Sequence, residues 1–321
     1  MFHLGSVWKN YILIAGRTLL RNKFFAPLLI ACMAFAVPNT LRANMGRVTL
    51  IREHGLFYID VILRDDTLTA LFDTGAEVSA IDPMTARRAG LATMDSVDVE
   101  GTNTTFRTAR AAVAGCSLGG TFLHTVLATV RDLSFALAPT GRRLDLIAGN
   151  DLFAGRTVDL DLVAGTFTLH RTTPMIEGAL AVPFATDHGI PRMAGTIDDT
   201  PVDLRLDTGA SLFATPDLYV NIPLSLWERL RGADTTLTAD RHLTATGIDA
   251  TPVELPVARV GRCTIGAFDS AVDGTVVHVI VQPAAGYFAR PDAVGFVSNN
   301  WLLRFHRVLI DLAGHQLFLC S

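Results

Sequence analysis

Leu71-Phe72-Asp73-Thr74-Gly75-Ala76 decides how this chain is read, because Leu204-Arg205-Leu206-Asp207-Thr208-Gly209-Ala210 repeats its plan 134 positions later. An apolar strand that ends in Asp and a Gly-containing turn presents one carboxylate at a loop tip. A single Asp-Thr-Gly carries little weight, since turns use Asp, Thr and Gly for local hydrogen bonding. Here the flanks repeat as well. His54-Gly55-Leu56 returns as His188-Gly189-Ile190, Asp65 as Asp199 and Ala80 as Ala214, all at one offset. Cys116-Ser117-Leu118-Gly119 then answers to Cys263-Thr264-Ile265-Gly266, and Asp161-Leu162 to Asp311-Leu312, at the larger offsets that insertions in the second copy would produce. Such self-similarity means one structural unit used twice.

The 321 residues are half apolar, enough for two units that each bury a core. A net charge of −4 without long runs of either sign excludes a nucleic-acid surface. Residues 1–36 stand apart: Arg17, Arg21 and Lys23 precede the apolar run Phe24 to Ala36, which ends in Ala-Phe-Ala. That pattern is expected of a secretory signal, with an N-terminal membrane anchor as the alternative and lipidation at Cys32 as a third reading. Residues 37–46 read as a linker, 47–172 as the first unit, 173–178 as the link between units and 179–321 as the second. Cys116, Cys263 and Cys320 remain after such a leader, so at most one internal bridge can form and a Cys-rich metal site is excluded. The matched positions of Cys116 and Cys263 favour small buried core residues.

Strand signals dominate. Val48 to Ile51, Leu56 to Leu63 and Leu68 to Phe72 lead into Asp73, and Val97 to Phe106 alternates around a Gly-Thr-Asn turn. Asp82 to Gly90 reads as a short helix with Asp82 as N-cap and Pro83 in its first turn. Ser225 and Glu228 suggest a capping box for a second helix that stops at Gly232. Each unit is therefore mainly β.

Two carboxylates brought close together in a partly dry site cannot both ionise easily. One keeps a proton while the other is a base, so the pair can activate a water and protonate a leaving group in one event. Gly75 and Gly209 let the backbone turn its N–H toward the carboxylate, and Thr74 and Thr208 can each donate a hydroxyl to the opposite loop. Ala76 and Ala210 lack a hydroxyl that could reach Asp73 and Asp207. The competing reading is that both Asp residues merely stabilise turns; paired Asp-Thr-Gly-Ala loops in a duplicated β-unit match a chemical need and favour catalysis. Asp161 and Asp311, each at the start of a hairpin, read as structural, as do the His-Gly pairs and Trp301. No Ser-His-Asp or Cys-His arrangement is recognisable, and no cofactor or metal is expected.

On these residues the sequence resembles a bacterial retropepsin-like aspartic protease duplicated in one chain, the bilobal plan of the pepsin type. Asp73-Thr74-Gly75-Ala76, the Asp82 helix and Ile147-Ala148-Gly149-Asn150-Asp151-Leu152 carry the likeness. The last stretch is similar to the family's second signature, which supports the active loop from behind. The resemblance implies an all-β chain with two pseudo-symmetric acid-protease β-barrel lobes and a peptide cleft between them. It also implies flaps around Gly101, Thr102 and Asn103 and around Thr246 and Gly247. Asp73 and Asp207 become the expected catalytic pair of an endopeptidase acting on peptide or protein, outside the cytoplasm, as a two-lobed monomer. Departures are visible. Ser298 replaces the supporting Gly in the second unit, Asn300-Trp301 stands where the first has Asp151-Leu152, Glu77 adds a third acid, and no Tyr lies near Gly101 in sequence. A non-enzymatic peptide-binding protein on the same fold is the alternative, and lobes that dimerise with copies of themselves are a third arrangement.

Overall fold

The computed structural model describes residues 46–102, 105–136, 141–212, 215–246 and 252–321. Within it the repeat becomes a repeated sheet. Leu56–Leu63 pairs antiparallel with Asp66–Phe72, placing Tyr58 opposite Leu71, and Ile190–Ile197 pairs with Thr200–Asp207 in the same register, placing Arg192 opposite Arg205. Cys116 lies opposite Leu63 and Cys263 opposite Ile197. Both thiols are buried and free, and burial pushes them up to about 11 and about 12. Their expected role as core residues holds.

The two barrels do not form. The first ten-stranded sheet runs from an edge at Thr93–Glu100 to an edge at Thr121–Phe122, and the second from Arg241–Thr246 to Phe268–Asp269. Closure requires the first and last strands to meet with consistent tilt and stagger. Here one edge of each sheet tapers to a two-residue strand, and the end strands do not pair. Both sheets are open, mainly β in composition and pseudo-symmetric, with a few short helices. In each, a strand from the end of the unit runs parallel to the Asp-bearing strand: Leu146–Ala148 beside Asp66–Phe72, and Gly295–Ser298 beside Thr200–Asp207.

The hairpins that close the two units join a third, six-stranded sheet, where Thr157–Asp161 pairs antiparallel with Arg307–Asp311. Asp161 accepts the backbone N–H groups of Val163 and Ala164, and Asp311 those of Ala313 and Gly314, so both tie off hairpin turns as expected. Asp159, buried between them, receives Arg307 at 2.8 and 2.7 Å and His170 Nε2 at 2.8 Å. Burial pushes Asp159 upward, but Arg307 and His170 outweigh it and hold the carboxyl below the usual range.

Asp82 caps the Pro83–Arg88 helix, accepting the N–H groups of Met84 and Thr85. The second helix starts earlier than Ser225, at Leu224–Ala233, so Ser225 lies inside the first turn and the expected capping box is not made. Burial of Leu226, Trp227 and Leu230 anchors that helix instead. Behind Asp73, Phe72 meets Phe153 and Phe167 edge to face at 5.5 and 5.3 Å, and in the second unit fully buried Trp301 packs on Phe268 and Phe305. These aromatic clusters give the loop-bearing strands a stiff floor.

Candidate active site

The two Asp-Thr-Gly loops interlock. Thr74 Oγ1 donates to Leu206 O at 2.8 Å and accepts from the Thr208 N–H at 3.1 Å; Thr208 Oγ1 donates to Phe72 O at 2.9 Å and accepts from the Thr74 N–H at 2.8 Å. Both threonines are fully buried, so these four bonds form where water cannot compete. Gly75 N–H points at Asp73 Oδ1 at 2.8 Å, and Gly209 N–H at Asp207 Oδ1 at 3.0 Å. A Cβ on Gly75 would stand 2.5 Å from Asp207 Cγ, and one on Gly209 would overlap the Asp73 carboxyl. Close approach of the opposite acid is what demands glycine here.

The carboxyl groups of Asp73 and Asp207 lie within hydrogen-bond reach of each other. Burial raises Asp73 above the ordinary aspartate range, against the pull of the Gly75 N–H. Burial raises Asp207 further, and the neighbouring Asp73 charge adds to it. Such a pair titrates as a unit and holds one proton where isolated aspartates would hold none.

Each loop is braced from behind by a matching asparagine. Asn150 Nδ2 donates to Thr74 O at 2.7 Å, and Asn299 Nδ2 to Thr208 O at 2.6 Å. Their backbone N–H groups hold Ala76 O and Ala210 O at 3.0 and 3.1 Å. The next residues differ. Asp151 accepts Ser79 Oγ at 2.5 Å and the Ser79 N–H at 3.1 Å, and burial pushes its carboxyl up. Asn300 instead accepts the Leu212 N–H at 2.9 Å and donates to Leu212 O and Thr215 O at 3.1 and 3.2 Å. Ser298 adds its hydroxyl to Asn300 Oδ1 at 3.2 Å, whereas a Cβ at Gly149 would stand 2.8 Å from Ala76 O. The departures seen in the sequence thus leave the second loop supported.

Glu77 is exposed, 3.9 Å from His188 Nδ1, and takes no part in the carboxyl pair. Of the residues expected in flaps, Gly101 and Thr102 follow the Thr93–Glu100 strand and Thr246 ends Arg241–Thr246, while Asn103 and Gly247 lie outside the described residues. Three contributors had no sequence signal. Ser79 reads as an ordinary loop residue, Arg205 as a strand cation, and Tyr287 meets Gly101 only in space, through its N–H on Gly101 O at 3.0 Å. Asn299 could have been found by aligning it with Asn150.

Residues 59–152 match the family model described as aspartyl protease. The matched segment contains Asp73, its loop and the supporting stretch through Leu152, but not Asp207. That match and the two pseudo-symmetric β-sheet lobes are consistent with an aspartic-protease superfamily fold. Among curated proteins none matches the chain in sequence.

Proposed function

We propose that the chain is an aspartic endopeptidase of the retropepsin-like kind, with both halves of its site in one polypeptide. The observation that carries this reading is the pair Asp73 and Asp207, set within hydrogen-bond reach by loops that clasp each other through Thr74 and Thr208. A water held between them loses a proton to the ionised member as it attacks the peptide carbonyl. The protonated member donates to the carbonyl oxygen and so limits the charge that develops there. The peptide lies extended along the cleft and adds a strand through its backbone. The interlocking of the loops within one chain supports a working monomer over lobes paired with copies of themselves. The peptide-binding alternative rested on Ser298 and Asn300. Asn300 braces the second loop with three hydrogen bonds, which favours the hydrolase. Export, with residues 1–36 as signal or anchor, remains part of the proposal, and those residues lie outside the described ones.

Incubation of residues 37–321 with a mixed peptide library across pH, with and without pepstatin, tests the reading. Cleavage blocked by pepstatin and abolished in Asp207→Asn, with peptide affinity retained, is expected. Peptide binding with no cleavage at any pH would reverse it in favour of the binder.

A further inference from the structure

The strand faces beside the two acids are built alike and differ in chemistry. Alternate residues of a strand share a face, so Leu71 lies on one side with Asp73 and Arg205 on one side with Asp207, while Ala70, Phe72, Leu204 and Leu206 enter the main core. Their neighbours correspond. Leu71 stands between Tyr58 and Ile147, and Arg205 between Arg192 and Phe296. In the first lobe Tyr58, Leu71 and Ile147 are buried and pack with Leu133 and Leu144 as an apolar wall. In the second lobe the middle position is a cation. The Arg205 guanidinium lies over the Tyr287 ring at 4.1 Å, and Tyr287 is itself fixed, its hydroxyl accepting the Val294 N–H at 2.8 Å. Arg205 Nε and Nη2 both donate to Asp187 Oδ2, at 2.9 and 2.5 Å. Among the described residues Nη1 makes no hydrogen bond, and the side chain keeps 13 % of its surface open.

We propose that Arg205 sets the substrate preference of the second lobe. The residue on one side of the scissile bond carries a carboxylate or carboxamide that the open edge of Arg205 binds, and the residue on the other side is a large apolar one seated on the Leu71 wall. This rests on the endopeptidase reading. The two acids are related by the repeat, so the bond they attack lies between equivalent walls, and successive residues of an extended chain point to opposite sides. One flanking residue therefore meets Leu71 and the other Arg205. A guanidinium is a planar fork of N–H donors that stays protonated, so its open edge calls for an oxygen acceptor. Covered by an apolar side chain, those donors would lose water and gain no partner. Asp187 already balances the charge of Arg205, so the acceptor oxygen is the recognised feature and an amide competes with an acid.

Cleavage-site mapping of a mixed peptide library by wild type, followed by kcat/KM on peptide pairs that differ in one residue, tests this. In wild type, Glu or Gln should be preferred over Met by about tenfold or more on one side of the scissile bond, with large apolar residues preferred on the other. Arg205→Met combined with Asp187→Asn removes both charges together and keeps a long side chain on Tyr287. In that variant the Glu-to-Met ratio should fall to about one or invert, with the apolar preference across the bond unmoved. Each ratio is taken within one enzyme, so partial loss of folded protein does not alter it, and the wild-type map stands without any variant. Cleavage with apolar residues on both sides, or a ratio that the double variant leaves unchanged, overturns the inference and leaves the endopeptidase reading standing. Peptides left intact by wild type at every pH overturn both.

Discussion

The loop around Asp73 and the loop around Asp207 share their hydrogen bonds at the acids and differ in some of the bonds that brace them from behind. In the first, a carboxylate, Asp151, receives a serine; in the second, an amide, Asn300, both accepts and donates. Gly149 leaves room for Ala76 O where Ser298 supplies a hydroxyl. The Thr grip, the Gly N–H groups and the Asn braces are shared by both. Duplication has kept the positions of donors and acceptors at the Asp pair while letting the chemistry behind it diverge. The parts that face the opposite lobe are constrained twice over, because each must fit its counterpart.

The comparison breaks first, and most severely, at the glycines. Gly75→Ala and Gly209→Ala should each lower peptide hydrolysis by at least about a hundredfold, since a displaced carboxyl loses its geometry for attack. Equal losses in steady-state rates are expected, because each Cβ collides with the opposite acid. A strong effect in one lobe alone would show that the site is less symmetric than its bonds.

Thr74→Val and Thr208→Val come next. Each removes a hydroxyl that makes two buried bonds and leaves a backbone carbonyl of the other lobe unpaired. A cost of about 2–4 kcal/mol in denaturant unfolding is expected for either, and a smaller one for Thr→Ser.

The third test exploits the divergence. Burial raises Asp151 above its unfolded value, so the stability it contributes is full below the unfolded pKa and is lost as pH rises through the folded one. Asp151→Asn, which copies the second lobe, should therefore stabilise the protein by about 1 kcal/mol at pH 7 and by less in acid, as read by urea unfolding at both pH values. The reverse change, Asn300→Asp, turns a donor into an acceptor facing Leu212 O and Thr215 O. It should cost about 2 kcal/mol at pH 7.

Smallest is the effect of a hydroxyl beside the acids. Ala76→Ser and Ala210→Ser offer a donor to the ionised carboxyl, which lowers its pKa and moves both limbs of the pH-rate profile toward acid. A shift on the order of half a unit is expected; an unmoved profile would mean the hydroxyl does not reach the pair.

Much of this was legible from the chain alone. The constant offset from His54 to Ala80 and from His188 to Ala214 announced one unit used twice, and Asp73-Thr74-Gly75 with Asp207-Thr208-Gly209 announced the loops. Turn chemistry at Asp82, Asp161 and Asp311 was local, and so readable. What escaped depends on contacts distant in sequence. Sheet closure is a property of the edges, and neither Thr121-Phe122 nor Phe268-Asp269 declares in its residues that it will end a sheet. Ser225 carried a cap signal, but burial of Leu226, Trp227 and Leu230 set where that helix lies. Tyr287 stands 186 positions from Gly101, with nothing in either neighbourhood to link them.

Carboxyl ¹³C NMR across pH, with Asp73 and Asp207 assigned by the signals lost in Asp73→Asn and Asp207→Asn, addresses the shared proton without any substrate. The two should titrate together, one proton should persist well above the range of a free aspartate, and removing Asp73 should bring Asp207 down. Two independent titrations near the ordinary aspartate value, each indifferent to loss of the other, would contradict the pairing on which the function is argued.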